Sequence, residues 1–147
     1  METTTRRVHV VRSQETYEGK QGLTYFTGIS KESVGSEKVC LHVLTIPPGG
    51  RANAHYHDGH ESAIFLMSGR TEQLWGDQLE NHDVLEAGTY IYIPSGVPHV
   101  VWNASETEDA VAVIARTDPN EQESVVLTPE LERVVDEFFR SRSAAVQ

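Results

Sequence analysis

The stretch from Gly88 to Asn103, GTYIYIPSGVPHVVWN, places the strongest limit on what this chain can fold into. It starts with an aromatic and β-branched run, Tyr90 to Ile93, which is typical of a buried strand. A Pro-Ser-Gly turn ends the run, because proline cannot donate to a ladder and glycine tolerates positive φ. A second apolar strand follows at once. His99 is therefore predicted to lie near the start of a strand, directly after a tight turn.

Short apolar segments of this kind recur along the chain, separated by glycine, proline and acidic turns. Clear examples are Leu23–Thr27, Val39–Ile46, Ser62–Met67 and Ala110–Ala115. Roughly eight to ten such segments at regular spacing are typical of a sandwich or a closed antiparallel barrel. We therefore predict an all-β fold, a jelly-roll barrel, followed by one C-terminal α-helix.

The C-terminal helix is predicted over about residues 129–142. Thr128 is a suitable N-cap, and Pro129 fits the first turn. Apolar residues then recur at helical spacing. They are Leu131, Val134, Val135, Phe138 and Phe139. We expect this face to pack on the barrel or on a second subunit. Residues 1–147 are predicted to form a single domain with a barrel core at about 39–116.

Composition argues against several classes of function. The formal net charge of −10 argues against binding to nucleic acid or to an anionic membrane surface. No apolar run approaches the roughly 20 residues that span a bilayer, and the first residues show no secretory signal pattern. The one cysteine, Cys40, excludes an internal disulfide and fits a reducing compartment. We therefore expect a cytoplasmic protein without nucleic-acid or membrane partners.

Three histidines fall where strands are predicted. His55 and His57 are two residues apart, so on a strand their side chains share one face, about 6.6 Å apart along the chain. His99 follows the Pro-Ser-Gly turn, and Glu61 lies four residues after His57. Imidazoles and a carboxylate are ligands for first-row transition metals. A set of this size leaves positions open for water or substrate, as in catalytic metal sites.

These residues resemble the two sequence motifs of the cupins. The first motif is glycine, five residues, His-x-His, three or four residues, glutamate, six residues and glycine. The chain offers Gly49, His55, His57, Glu61 and Gly69. The second motif is glycine, five residues, Pro-x-Gly, two residues, histidine, three residues and asparagine. The chain meets every spacing with Gly88, Pro94, Gly96, His99 and Asn103. The segments HDGHESAIFLMSG and RTDPNEQESV are also similar to small single-domain bacterial cupins, often labelled mannose-6-phosphate isomerase-like.

The resemblance implies a double-stranded β-helix with one divalent transition-metal ion held by His55, His57, Glu61 and His99. The metal would be Fe, Mn, Zn, Ni or Cu, since the same ligands accept several ions. Glu61 is the candidate general base, and His99 is the other candidate catalytic residue. Cupins commonly pair barrel to barrel, so the resemblance also implies a homodimer.

One departure from the first motif concerns the glutamate. Seven residues separate Glu61 from Gly69 where the motif has six, so counting back from Gly69 places Ser62 at the carboxylate position. A bulge at the start of the strand would reconcile the two counts. His60 is an alternative fourth ligand, because it shares the face of Ser62 on a regular strand. A site of three histidines without a fourth protein ligand is the remaining alternative.

Large side chains near the motifs are candidates for the walls of a substrate pocket. Phe65, Tyr90, Tyr92 and Trp102 would fill the barrel interior, or hold an apolar or aromatic ligand, if they face inward. Arg51 is a candidate partner for an anionic substrate, with a surface ion pair as the alternative.

Two classes of function fit these features. The first is a small metalloenzyme acting on an oxygen-bearing small molecule, as a dioxygenase with iron or copper, or as an isomerase or lyase with zinc or nickel. The second is a non-catalytic barrel that binds a small ligand. Modules of that kind are usually fused to a DNA-binding or enzymatic domain, and we expect none within 147 residues. This reasoning favours the enzyme.

Overall fold

The computed structural model describes residues 7–12 and 15–146. The first six residues, part of the segment in which we found no signal pattern, lie outside that range. The described residues form strands β1 Thr16–Glu18, β2 Thr24–Ile29, β3 Cys40–Ile46, β4 His55–His57, β5 Ser62–Ser68, β6 Arg70–Trp75, β7 Asn81–Glu86, β8 Tyr90–Ile93, β9 His99–Asn103, β10 Ala110–Arg116 and β11 Val125–Leu127. They also form helices α1 Lys31–Val34 and α2 Glu132–Val146, with a 3-10 turn at Pro129–Leu131.

The strands form two sheets, and every pairing within them is antiparallel. One sheet has six strands in the order β1-β2-β3-β10-β5-β8, and the other has five in the order β11-β4-β9-β6-β7. Strands that are neighbours in the sequence are often distant in a sheet, as expected for a jelly roll. The predicted all-β barrel with one C-terminal helix is confirmed.

Alternation along the strands separates the core from the surface. On β3, Cys40, His42, Leu44 and Ile46 are buried, while Leu41 and Val43 are exposed. This is the division that a period of two predicts. The main core cluster lies between the two sheets. Its buried members are Leu23, Tyr25, Leu44, Ile46, Ala52, Leu66, Ala110, Ala112 and Ile114.

Helix α2 covers the outside of the five-stranded sheet. Its apolar face packs on Trp102, whose ring centroid lies 4.8 Å from that of Phe139 and 5.5 Å from that of Phe138. The face therefore packs on the barrel, one of the two expected locations. Thr128, the predicted N-cap, makes no capping hydrogen bond, because a 3-10 turn precedes the helix. Within the described part of the chain, no helix has the length and apolarity needed to cross a membrane.

The outside of the six-stranded sheet remains uncovered by the described chain. One row of apolar residues crosses five of its strands in register, Phe26, Val43, Val113, Phe65 and Tyr90. Nearby Leu41 and Met67 are exposed as well. We call this surface the outer face. Its apolar character is typical of an interaction surface.

Candidate metal centre

The structure brings His55, His57 and His99 together inside the barrel. His55 and His57 share one face of β4, and His55 pairs directly with His99 at the start of β9. The ring centroids lie 4.3 Å apart for His55 and His99, 4.9 Å for His57 and His99, and 5.1 Å for His55 and His57. All three are buried, and their ligand atoms lie within 4.8 Å of one another.

The turn before His99 is fastened to the strand that carries His57. Gly96, at φ 84°, donates its N–H to the His57 carbonyl at 2.8 Å. The hydroxyl of Ser95 donates to the same carbonyl at 3.2 Å. The left-handed backbone at position 96 explains why glycine follows Pro-Ser here. The Pro-Ser-Gly segment thus fixes the distance between the two histidine strands.

Each of the three imidazoles has an acceptor at its Nδ1 atom. His55 Nδ1 donates to the Asn53 carbonyl at 2.6 Å, and His99 Nδ1 donates to the Val97 carbonyl at 2.9 Å. His57 Nδ1 lies 2.7 Å from Glu123 Oε1, at an angle outside hydrogen-bonding geometry. Because these partners only accept, the protons belong on Nδ1 and the Nε2 lone pairs remain for another ligand.

Burial keeps the imidazoles of His55 and His99 neutral. It lowers the pKa of His55 to about 4, to which the neighbouring His57 contributes. Burial also holds the pKa of His99 well below its ordinary value, and the proximity of His55 and His57 adds to the effect. The neutral imidazole is the form that binds a metal. The cluster therefore offers at least two ready ligands at neutral pH.

Glu123 is a member of the site that sequence reasoning missed. Strand β11 pairs with β4, so that Val125 lies opposite His57 and Glu123 comes beside the histidines. In addition to the His57 contact, its Oε1 accepts from His60 Nε2 at 2.7 Å. Burial alone would raise the pKa of Glu123. The contacts with His57 and His60 and the charge of Arg116 together hold it well below its usual range.

Arg116 compensates the buried charge of Glu123. Its Nε atom lies 2.6 Å from Glu123 Oε2, and both side chains are almost completely buried. The guanidinium carbon lies 4.7 Å from the ring centroid of Tyr25. A buried carboxylate is stable only with such a partner. The pair therefore allows a carboxylate to stand behind His57 without leaving an isolated charge in the barrel.

The structure does not bring Glu61 to the three histidines. Its side chain is exposed, and its Oε2 accepts from the Tyr92 hydroxyl at 2.9 Å. The predicted bulge at the start of β5 is absent, since Ser62 pairs regularly with Ile93 and with Arg116. The irregularity lies at the other end of the strand, near Ser68. Regular alternation turns Ser62 inward and Glu61 outward.

His60, the alternative fourth ligand, lies in a second group. It is buried, as its place on the face of Ser62 predicted, but its partners are Glu123 and His57. Its ring centroid is 4.9 Å from that of His57. The described residues therefore show two overlapping sets of potential ligands, His55–His57–His99 and His57–His60–Glu123, which share His57.

Two cavities adjoin the three histidines. The inner cavity, of about 60 Å³, occupies the barrel between the sheets and is lined mainly by apolar side chains. The outer cleft, of about 330 Å³, lies at the barrel mouth. Both are lined by Gln73, Ile93 and His99, so the two spaces meet at these side chains. A small molecule entering through the cleft would reach His99 first.

Only one of the five predicted pocket residues lines either cavity. Tyr92 lines the outer cleft. Phe65 and Tyr90 lie on the outer face, because Ile64 and Ile91 take the inward positions beside them. The structure places the other two candidates away from both cavities. Trp102 is buried under α2, and Arg51 forms an ion pair with Glu132 at 2.8 Å, the alternative considered for it.

A match to a protein-family model identifies the family of this barrel. The family model described as Cupin domain matches residues 42–115, about half of the chain. The chain belongs to the cupin family. The resemblance inferred from the two motifs is thereby confirmed. No curated protein sequence matches this cupin.

Solved structures similar to this cupin share its fold at low sequence identity. Oxalate decarboxylase from Lactobacillus farciminis, in a formate complex, matches with a TM-score of 0.62 and 16% identity over 78% of this chain and 33% of that one. Bacillus subtilis oxalate decarboxylase, described with Mn(II) centres, matches with a TM-score of 0.62 and 20% identity, over 78% and 30%. This cupin thus spans about a third of the length of those enzymes.

A structure of more similar length is a putative sugar phosphate isomerase from Acidithiobacillus ferrooxidans. It matches with a TM-score of 0.59 and 18% identity, and 76% of each chain is covered. Sequence identities this low indicate a shared fold and give no information about the substrate of this cupin.

Proposed function

We propose that this cupin is a small metal-dependent enzyme whose divalent transition-metal ion is held by His55, His57 and His99. Among the alternatives for the fourth position, we favour the site without a further protein ligand. The support is the Nδ1 side of the rings, because backbone carbonyls accept from His55 and His99 there and Glu123 faces His57 Nδ1, which leaves the Nε2 lone pairs for a metal. Histidines that bind metals usually carry such a partner on their other ring nitrogen.

The residues present fit a catalytic metal. Three imidazole nitrogens suit first-row ions and leave coordination positions open. When bound, such an ion supplies Lewis-acid or dioxygen chemistry. The chain's own contribution is to hold His57 between the ion and Glu123, so that the carboxylate raises the basicity of that ligand. The apolar inner cavity excludes bulk water from the histidines.

The reaction class depends on which metal is bound. A redox metal favours oxygenation, and zinc or nickel favours isomerase or lyase chemistry. Oxalate and sugar phosphates, the substrates named for those neighbours, are anions. We do not propose either substrate for this cupin, because no lysine or arginine among the described residues lines the two cavities. We propose an oxygen-bearing molecule small enough for its reacting end to enter about 60 Å³.

The alternative is a barrel that binds a ligand without converting it. The test uses metal-loaded protein and a panel of β-diketones, hydroxy acids and aldoses, followed by proton NMR and by dioxygen consumption. Turnover in the wild type that disappears in His99→Ala supports the enzyme. Saturable binding of a panel member without conversion under air or nitrogen supports the binding module instead. His82→Ala, which changes a histidine outside the cluster, is the matched control.

We also propose that two copies pair through the outer face, and that the protein acts in the cytoplasm. The uncovered apolar row of that face supports the pairing, since surfaces of this kind mark interfaces. The free, buried Cys40 fits a reducing compartment. The small-molecule substrate is then the only other partner that the site requires.

A further inference from the structure

The outer cleft has a chemistry that the metal site does not explain. Besides residues shared with the inner cavity, it is lined by Trp75, Tyr92 and Asp83. Trp75 and Tyr92 are substantially exposed, so their rings face the solvent at the barrel mouth. Asp83 lies on β7, and its carboxylate is the one charged group that lines the cleft among the described residues. Two aromatic rings and one carboxylate thus surround the entrance.

Hydrogen bonds fix the carboxylate in place. Asp83 Oδ2 accepts from Trp75 Nε1 at 2.8 Å and from Gln73 Nε2 at 3.0 Å. Both donors come from β6, and Gln73 pairs directly with Asp83 across the two strands. One carboxylate oxygen is therefore held by two neutral donors, and no cation among the described residues forms an ion pair with Asp83.

Two further acceptors lie near the cleft and the inner cavity. Tyr92 donates its hydroxyl to Glu61, so a second carboxylate stands behind the ring that lines the cleft. Within the inner cavity, Gln21 is buried and its Oε1 atom has no partner. Arg116 is enclosed behind Glu123 and lines neither space. An anion entering the cleft would therefore meet negative charge and no cation.

We infer that the substrate carries an organic cation, an alkylammonium group, which the outer cleft holds between Trp75, Tyr92 and Asp83 while its oxygen-bearing end reaches the histidines. Aromatic rings attract such cations through their π faces, and the carboxylate adds a charge-assisted contact. This inference rests on the proposed function for the oxygen-bearing end only. None of Trp75, Tyr92 and Asp83 is a proposed metal ligand, although Trp75 pairs with His99 across strands β6 and β9.

The test compares choline with its neutral isostere 3,3-dimethyl-1-butanol. The two have nearly the same shape and the same hydroxyl, and they differ by the positive charge. Binding is measured by calorimetry and by tryptophan fluorescence, with protein both loaded with metal and free of metal. We expect choline to bind about tenfold more tightly than the isostere. We also expect malonate, a dianion, not to compete in metal-free protein, where it has no metal to bind.

Asp83→Asn is the diagnostic variant, because it keeps an oxygen for the Gln73 and Trp75 donors and removes the charge. We expect it to remove most of the preference for choline and to leave the metal content unchanged. Asp77→Asn, at an exposed turn position outside the cleft, is the matched control and should behave as the wild type. Intact folding of each variant is verified by thermal unfolding.

The outcomes separate this inference from the proposed function. Equal binding of choline and its isostere, no binding of choline, or competition by malonate in metal-free protein would overturn the inference, whether or not the protein also binds metal. If the protein never retains metal but still prefers choline, the proposed metalloenzyme function is wrong and the inferred cation site is supported. Preference for choline that survives in Asp83→Asn would also contradict the inference.

Discussion

Glu123 Oε1 lies 2.7 Å from His57 Nδ1 and 2.7 Å from His60 Nε2, so one buried carboxylate faces two imidazoles. The same carboxylate is neutralised from behind by Arg116. His57 therefore stands between a fixed anion and the cluster it forms with His55 and His99. In the proposed metal site, Glu123 is therefore the residue that sets the basicity of the ligand His57.

Replacing Glu123 by glutamine is expected to weaken metal binding about 10- to 100-fold. Glutamine retains an acceptor oxygen but supplies no charge to support His57. It also leaves Arg116 buried without a counterion, which we expect to reduce the free energy of unfolding by about 3 kcal/mol. Competition with a chelator measures the affinity, and urea unfolding measures the stability. Glu130→Gln, an exposed change, is the control, and an affinity equal to the wild type in Glu123→Gln would refute this role.

Glu61→Gln is expected to leave metal content unchanged, because the exposed carboxylate contacts Tyr92 and lies away from the histidines. The family motif led to the opposite expectation. His99→Ala, prepared in parallel, should lose its metal. Elemental analysis of the two variants decides between the motif count and the observed strand register. Metal loss in Glu61→Gln comparable to that in His99→Ala would restore Glu61 as a ligand.

His42 is expected to make the fold sensitive to acid. Burial, helped by the charge of Arg116, lowers the pKa of His42 to about 4 from 6.5. Its Nδ1 accepts from the Gly28 N–H at 3.0 Å, which requires the neutral ring. Above pH 6.5 both states are neutral and His42 has no effect. As the pH falls from 6.5 toward 4, the unfolded chain takes up the proton first, so folding stability falls.

The size of this effect follows from the shift in pKa. At pH 5 His42 alone should remove about 2 kcal/mol relative to pH 7.5. His42→Asn keeps an acceptor near Gly28 and does not titrate, so its stability should fall less than that of the wild type between the two pH values. Urea unfolding at pH 7.5 and 5.0 gives both differences. Equal losses in the two proteins would show that His42 takes no part.

If two copies pair through the outer face, one charged substitution within that face should weaken the homodimer. Val43 lies in the middle of the apolar row, between Phe26 and Val113. A lysine at position 43 places a charge within the interface and should shift the protein from dimer to monomer, raising the dissociation constant at least about tenfold. Size-exclusion chromatography with light scattering reads the mass against the 16.4 kDa of one chain.

Val84→Lys makes the same change at an exposed position of the other sheet and should remain dimeric. A wild type that elutes as a monomer at micromolar concentration would contradict the proposed pairing. A dimer that Val43→Lys leaves intact would place the interface elsewhere on the molecule.

The part of the site that could be predicted from the sequence depends on local regularities. His55 and His57 share a face because strands have a period of two, and the Pro-Ser-Gly turn places His99 at a strand start. The alternation of buried and exposed residues along β3 follows the same rule. The single domain over residues 1–147 stays a prediction.

Other features depend on tertiary register, which one sequence does not reveal. Glu123 precedes a three-residue strand without periodicity, and only the pairing of β11 with β4 brings it to His57. Tyr90 and Ile91 belong to the same apolar run, and either could face inward until the neighbours of β8 are known. Glu61 was placed by a motif count, whereas the regular start of β5 turns it outward. Local pattern fixes which residues alternate, and the fold decides which set is inside.

The most direct test of the central claim is the metal content of protein purified without chelator or metal-affinity resin, measured by elemental mass spectrometry beside His57→Ala and His82→Ala. We predict about one first-row transition-metal ion per chain in the wild type and in His82→Ala. His57→Ala should retain at least about tenfold less. A wild type that holds no metal after reconstitution, or a His57→Ala protein that keeps its full content, would contradict a metal centre at His55, His57 and His99.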